Sequence, residues 1–210
     1  MEHRRQNIIS KAFDLYHQYG IKSVSMDDIA RELGMSKKTL YQSISDKYEL
    51  VENVIAYQQE VASSILAVFH DASLNAIAQH WEYKTKIQER FPKYNPSFLY
   101  DLRKYYPMLL TKMNEYKLKV FYEANLSNLE QGKKEGFYLE DINSDIISRM
   151  LVGNAHFSLD PANGLFCEAE VLDKNTYAEI YKYHFRGICT AAGHAELKRH
   201  FNRVKQENVT

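Results

Sequence analysis

The residues best suited to chemistry lie close together near the N-terminus. Two lysines, a threonine, a tyrosine and a glutamine occur within six positions, and a third lysine follows shortly after. These residues are Lys37, Lys38, Thr39, Tyr41, Gln42 and Lys47. Ammonium groups pair with phosphate oxygens, while amide and hydroxyl groups can hydrogen-bond to phosphates or to base edges in a DNA groove. This combination indicates recognition of a nucleic acid.

Two short helices joined by a sharp turn are predicted to position these side chains. Ser25 and Asp28 have the spacing of a capping box, and apolar residues then recur at steps of three and four as far as Leu33. Gly34 is predicted to adopt the left-handed backbone that ends the first helix, and Ser36 to cap the second. Helix, turn and helix together predict a helix-turn-helix, whose second helix enters the major groove.

The second helix is predicted to have an apolar side and a polar side. Leu40 and Ile44 are four residues apart and are expected to pack on the core, which leaves the polar residues facing outward, with Tyr41 at the margin. Taken singly, a lysine pair could simply be solvated, and the tyrosine could be half-buried core. The whole set in one register favours DNA binding.

The segment 23–50 resembles the N-terminal DNA-binding domain of the TetR family of bacterial repressors. It carries the run S-V-x-x-x-D-I-A-x-x-L-G-M-S-K-K-T-L-Y-x-x-I-x-x-K-x-x-L, and residues 7–20 resemble the first helix of that domain. Two positions depart from the family pattern, because Ile44 stands where an aromatic residue is usual and Lys38 where glycine is frequent.

The resemblance implies roles for particular residues. Lys37, Thr39, Tyr41 and Gln42 would contact the groove and its phosphates, and Lys47 would bind a backbone phosphate. The predicted DNA-binding set is completed by Lys38 and by the two cap residues, Ser25 and Ser36.

Net charge limits how this protein can attract DNA. The chain has 27 basic and 27 acidic side chains, so its formal net charge is zero. Attraction must therefore be local, from the lysines named above together with Arg4 and Arg5. Because few counterions would be released, we expect a modest dependence of DNA affinity on salt per protomer, and tight binding that requires a dimer.

The rest of the chain predicts an all-α protein of two domains. Residues 1–47 would form a DNA-binding domain and 48–210 a larger helical domain for ligand binding and dimerisation. No apolar stretch approaches the ~20 residues of a membrane span, and no secretory signal is recognisable, so a cytoplasmic protein that does not bind membranes is expected. Only two cysteines occur, without metal-binding spacing, which is consistent with reduced thiols and no metal. No cofactor is predicted.

Two late helices, 143–158 and about 176–192, resemble those with which the family forms a four-helix dimer interface. On each of these helices, apolar and aromatic residues recur at helical spacing, and we expect this side of the helix to face a second copy. The same pattern is also compatible with an ordinary buried helix face. The residues on these sides are Ile147, Leu151, Tyr177, Ile180, Tyr181, His184, Phe185 and Ile188.

By the same resemblance, a pocket for an unidentified, largely apolar small molecule would lie in the middle of the helical domain. Aromatic residues are concentrated between 81 and 122, and they either line such a cavity or pack the core. The predicted pocket residues are Trp81, Phe98, Leu102, Tyr105, Met108, Leu109, Met113, Tyr116 and Phe157.

These observations predict a ligand-responsive dimeric transcriptional regulator, a repressor of a palindromic operator that a small molecule releases. The alternative is a helical protein-interaction module without sequence-specific DNA binding. An enzyme is disfavoured, because the sequence has no glycine-rich phosphate loop and no His-Glu-x-x-His motif, and its histidines are scattered.

Overall fold

The protein is all-α throughout the part of the chain that the structure, a computed structural model, describes: residues 2–90, 96–158 and 160–207. This agrees with the predicted fold class. The helices are α1 (Glu2–Tyr19), α2 (Met26–Glu32), α3 (Lys37–Tyr41), α4 (Lys47–Leu66), α5 (Ala76–Arg90), α6 (Pro96–Tyr105), α7 (Pro107–Lys134), α8 (Ser144–Ser158), α9 (Glu168–Leu172), α10 (Lys174–Ile188) and α11 (Ala191–Glu207). Among them, none is long and apolar enough to cross a membrane.

Local side-chain capping determines where the first helices begin. The Ser25 hydroxyl accepts a hydrogen bond from the Asp28 amide at 3.1 Å, and the Asp28 carboxylate accepts one from the Ser25 amide at 2.9 Å. Gly34 has a φ of 63°, and the Ser36 hydroxyl accepts from the Thr39 amide at 3.1 Å. The predicted capping box, glycine turn and second cap are therefore all confirmed.

The chain divides into two compact units, and the first contains the described residues of Met1–Ser64 and Phe91–Lys117. Its core contains side chains from all of the first four helices, from α6 and from the first turns of α7. The helix-turn-helix therefore packs directly on this core. Leu40 and Ile44 are buried in this core, as predicted. The boundary expected after residue 47 falls inside this unit, at the start of α4.

The second unit contains the described residues of Ile65–Arg90 and Leu118–Thr210. Beside its apolar core lies a buried polar network. The Asn128 amide donates to the Ala76 carbonyl and to Gln79 Oε1, both at 2.8 Å, and the Tyr138 hydroxyl donates to Asn128 Oδ1 at 3.1 Å. Because each of these buried groups has a partner, the network joins α5, α7 and the segment after α7 without an uncompensated polar group.

The C-terminal region differs from the single helix expected over 176–192. α10 ends at Ile188, Cys189 is extended, and α11 begins at Ala191. The break occurs because this segment pairs with the link after α7: the Leu139 amide donates to the Ile188 carbonyl at 2.8 Å, and the Thr190 amide to the Phe137 carbonyl at 2.9 Å.

Candidate nucleic-acid interface

Helix α3 has one buried side and one exposed side. Leu40 on α3 and Ile44 just beyond its end are buried, whereas Lys37, Lys38 and Gln42 are exposed and Tyr41 is 41% exposed. The polar side chains predicted for DNA contact therefore lie on the surface, and the apolar ones fix the helix to the first unit.

The two cap serines have a structural role at this surface. Besides capping α3, the Ser36 hydroxyl lies 2.8 Å from the Thr39 hydroxyl, and Thr39 is half-buried. Hydrogen bonds from Ser25 lower the pKa of the Asp28 carboxyl. Ser25 and Ser36 thus define where α2 and α3 begin, and their direct contact with DNA stays a prediction.

An ion pair connects α2 to α3 across the glycine turn. Lys37 Nζ lies 2.9 Å from one carboxylate oxygen of Asp27 and 3.1 Å from the other. The hydrogen bond and the charge of Asp27 raise the pKa of Lys37. Sequence reasoning did not single out Asp27, because its partner is 10 residues away and meets it only after the chain has turned at Gly34.

Lys47 faces inward at the start of α4. Its ammonium donates to the Val24 carbonyl at 2.6 Å and lies 6.0 Å from the centre of the Tyr16 ring. Burial lowers its pKa. Lys47 therefore ties α4 to the segment between α1 and α2, while the phosphate contact implied by the family resemblance stays a prediction.

A second cluster joins α1 to the chain that follows α3. The Arg5 guanidinium donates to the Ser43 carbonyl at 2.7 Å and to Glu49 at 2.6 Å, and Glu49 also accepts from the amide and hydroxyl of Ser45, both at 2.6 Å. Hydrogen bonds from Ser45, followed by those from Arg5, lower the pKa of Glu49 to about 2. Arg5, expected only as a source of positive charge, thus holds in place the segment that follows α3.

The exposed groups of α3 suit duplex DNA. A glutamine amide can bond bidentately to adenine, a lysine can donate to guanine or to phosphate, and a tyrosine hydroxyl can bond to the backbone. Among the described residues, no group of three or more histidine, cysteine, aspartate or glutamate side chains is placed to hold a metal ion.

The predicted pocket residues are distributed over both units. In the first, Phe98, Leu102, Leu109 and Met113 are buried in the core, Tyr105 and Met108 are exposed, and the half-buried Tyr116 hydrogen-bonds to the Ser63 hydroxyl. In the second, Trp81 is half-buried and stacks with His200 at 5.7 Å between ring centroids, and Phe157 is exposed.

The predicted interface residues differ from one another in how far they are buried. Tyr181, Phe185 and Ile188 are buried within the core of the second unit, so they are not available on the surface of a single chain. Four others are half-buried: Ile147, Leu151, Ile180 and His184. The side chain of Tyr177 lies outside the described part of the structure.

Other apolar side chains of α8 and α10 are exposed. Ile146, Met150 and Phe157 on α8 are 52%, 55% and 55% exposed, and Tyr183 on α10 is 80% exposed. The predicted interface set does not contain these residues: Phe157 was expected in the pocket, and the four-residue step from Ile146 to Met150 was the signal that could have added those two.

A helix-turn-helix at the start of a longer all-α chain is typical of a class of DNA-binding regulators. Comparison with known proteins supports this class. Residues 8–54 match the sequence profile of the bacterial regulatory proteins of the tetR family. The chain is 27% identical, over 80% of its length and 89% of the relative's, to the uncharacterised HTH-type transcriptional regulator YvaF of Bacillus subtilis strain 168. Residues 8–54 therefore have the sequence of a DNA-binding domain of the tetR family, and most of the chain is similar to a transcriptional regulator.

Solved structures share the fold over most of the chain. A transcriptional regulator from Cytophaga hutchinsonii matches with a TM-score of 0.66 and 22% identity, covering 88% of this chain and 98% of that one. The TetR family protein CprB from Streptomyces coelicolor, solved in complex with its operator sequence, matches with a TM-score of 0.67 and 18% identity, covering 98% of both chains.

Proposed function

We propose that this protein is a homodimeric repressor that binds a palindromic operator and releases it when a small, largely apolar molecule binds. The observation that carries the proposal is the arrangement of α3. Lys37, Tyr41 and Gln42 are exposed on a helix whose other side is fixed to the core through Leu40 and Ile44. Residues 1–47 would bind DNA, and residues 48–210 would bind the effector and a second copy.

Dimerisation is supported by the exposed side chains of α8 and α10. An operator with two half-sites requires two recognition helices about 34–36 Å apart, which a single chain with one such helix does not supply. The apolar side chains of Ile146, Met150, Phe157 and Tyr183 are the surface that a second copy would cover. Burying such a surface is the usual driving force for a permanent homodimer.

For the effector, the second unit offers an aromatic cluster that includes buried polar side chains: the His80 ring lies 4.8 Å from Phe69 between centroids. The Tyr83 ring lies 5.4 Å from Phe69 and 5.3 Å from Phe121 between centroids. Asn125 is completely buried; its amide donates to the Phe121 carbonyl at 2.6 Å, and its Oδ1 has no hydrogen-bond partner among the described residues. An apolar molecule with one hydrogen-bond donor would satisfy this acceptor.

Release would follow from a change in the tilt of α4, which begins at Lys47 beside the helix-turn-helix. A ligand that favours one tilt alters the separation of the two recognition helices in the dimer, and a coupling of ~1–3 kcal/mol is typical of such linkage.

DNA binding is tested by fluorescence anisotropy near physiological salt. The purified protein is titrated onto duplex DNA from upstream of its own gene and onto duplexes that it selects from a random pool, with a scrambled duplex for comparison. We expect a preference of ~10³-fold or more for one of these duplexes, the lower limit for specific binders. The double variant Lys37→Ala with Tyr41→Ala should abolish that preference while retaining the helical circular dichroism spectrum.

The matched control is Lys104→Ala with Tyr100→Ala, another exposed lysine–tyrosine pair, located on α6. It should bind DNA as the wild type does. If the α3 double variant also retained full affinity, the protein-interaction module would become the better account. For the effector, a compound that raises the melting temperature but leaves operator affinity unchanged would contradict the release mechanism.

A further inference from the structure

Each of the three carboxylates of α2, the first helix of the helix-turn-helix, has a cationic partner: two lie in its first turn and one at its end. Asp28 pairs with Arg31 on the same helix, and Glu32 pairs with Lys11 of α1 at 3.1 Å. Asp27 instead pairs with Lys37, the first residue of α3. Among the described ion pairs of α2, this is the one that involves the recognition helix.

We propose that Asp27 is an internal counter-ion that Lys37 must exchange for a DNA phosphate, so that Asp27 sets the affinity of the protein for DNA of any sequence. The proposal rests on DNA binding by α3. The side chains of both residues are 60% exposed, so the pair lies at the surface and is open to exchange. An exposed pair of this kind is weak, and a phosphate oxygen can replace the carboxylate without a large cost.

The exchange has a consequence for salt dependence. A lysine that neutralises a phosphate releases about 0.9 of a counterion from B-DNA. When that lysine must leave a carboxylate partner to do so, the freed carboxylate takes up a cation of its own, and this uptake offsets the release from the DNA. Removing the carboxylate charge should therefore restore the full release, which at ~0.1 M salt corresponds to roughly eightfold tighter binding per recognition helix.

The variant Asp27→Asn tests this on a mixed-sequence duplex by anisotropy across a series of salt concentrations. We expect the eightfold gain per recognition helix and a logarithmic salt slope steeper by ~0.9 per recognition helix. Glu32→Gln is the matched control, because it removes the same charge from the same helix but leaves Lys37 paired. It should change the affinity less than about twofold, as expected for an exposed pair away from the DNA contacts. Melting followed by circular dichroism establishes that both variants fold.

A double-variant cycle separates exchange from simple repulsion. In a Lys37→Met background, Asp27→Asn should tighten binding far less than in the wild type. An undiminished gain without Lys37 would show that Asp27 acts through repulsion alone, and no gain in either background would also overturn the proposal. If neither the wild type nor Asp27→Asn bound any duplex even at ~20 mM salt, both this proposal and the proposed DNA binding would fail.

Discussion

At the scale of single residues, the first unit depends on carboxylates held by hydrogen bonds as well as by charge. Glu49 shows this best, because it accepts from the Ser45 amide and hydroxyl and from Arg5, and so joins α1, the turn after α3 and the first turn of α4. Its pKa of about 2, against an ordinary 4.5, means that folding strongly favours the charged form.

This shift predicts a pH dependence of stability. Between pH 4.5 and 2 the unfolded chain binds more protons at Glu49 than the folded chain does, so stability rises with pH in that window. The contribution is complete above pH 4.5 and is lost as the pH falls through about 2. Glu49→Gln should lower the free energy of unfolding near pH 7 by ~1 kcal/mol, and the deficit should shrink toward pH 2. Urea denaturation over this pH range measures both.

Glu52→Gln is the control for this experiment. Glu52 lies on the same helix, but its ion pair with Lys112 is longer, 3.7 Å, and more exposed. Its replacement should change stability by less than ~0.5 kcal/mol at every pH. Equal deficits for the two variants would contradict the structural role of Glu49.

Capping residues were predictable from sequence because the partners are three residues apart. Ser25 with Asp28, and Ser36 with Thr39, meet as soon as a helix begins there. Asp27 with Lys37, and Arg5 with Glu49, meet only after the chain has folded back across a turn or along another helix. Their sequence separations carry no comparable local signal.

At the scale of elements, the junction of α10 and α11 shows where helical periodicity misleads. The three- and four-residue steps continue through Cys189, so the sequence reads as one helix. What ends α10 is the pairing of its last residues with Phe137 and Leu139, some fifty positions earlier in the chain. Thr190 then caps α11 by accepting from the Gly193 amide at 3.2 Å.

This junction requires glycine at position 193. A Cβ atom placed there would lie 2.1 Å from the Phe137 carbonyl oxygen, which is far inside van der Waals contact. Gly193→Ala should therefore separate α11 from the link after α7 and destabilise the protein by ~2 kcal/mol or more. Thermal and urea unfolding measure the loss.

Ala192→Gly provides the comparison at the neighbouring, exposed position. It removes a methyl group, whereas Gly193→Ala adds one, and it should lower the free energy of unfolding by no more than ~1 kcal/mol. A Gly193→Ala variant as stable as the wild type would show that the close approach to Phe137 is not maintained in solution.

At the scale of the whole molecule, the sequence predicts which helices are amphipathic more reliably than it predicts what covers their apolar faces. Both α8 and α10 are amphipathic, but a periodic stripe indicates burial without telling whether the chain itself or a second copy covers it. Tyr181 and Phe185 are covered within the chain, whereas Met150 and Tyr183 are not.

The dimer prediction can be tested with a charge on the exposed face of α8. Met150→Lys should shift the protein from dimer to monomer in sedimentation equilibrium, because a lysine there would be buried without a partner. Met108→Lys is the matched control, since Met108 is even more exposed but lies on α7. If Met108→Lys dissociated the dimer and Met150→Lys did not, the interface would lie elsewhere.

The two units alternate along the chain, and this has a consequence for how the protein folds during synthesis. The first unit is complete once residue 117 has left the ribosome, whereas the segment 65–90 of the second must wait for residues 118–210. Until then the apolar side chains of Phe69 and Ile77 lack the partners that bury them in the finished protein. The nascent chain would thus acquire a folded first unit while the segment 65–90 of the second still needs protection from aggregation.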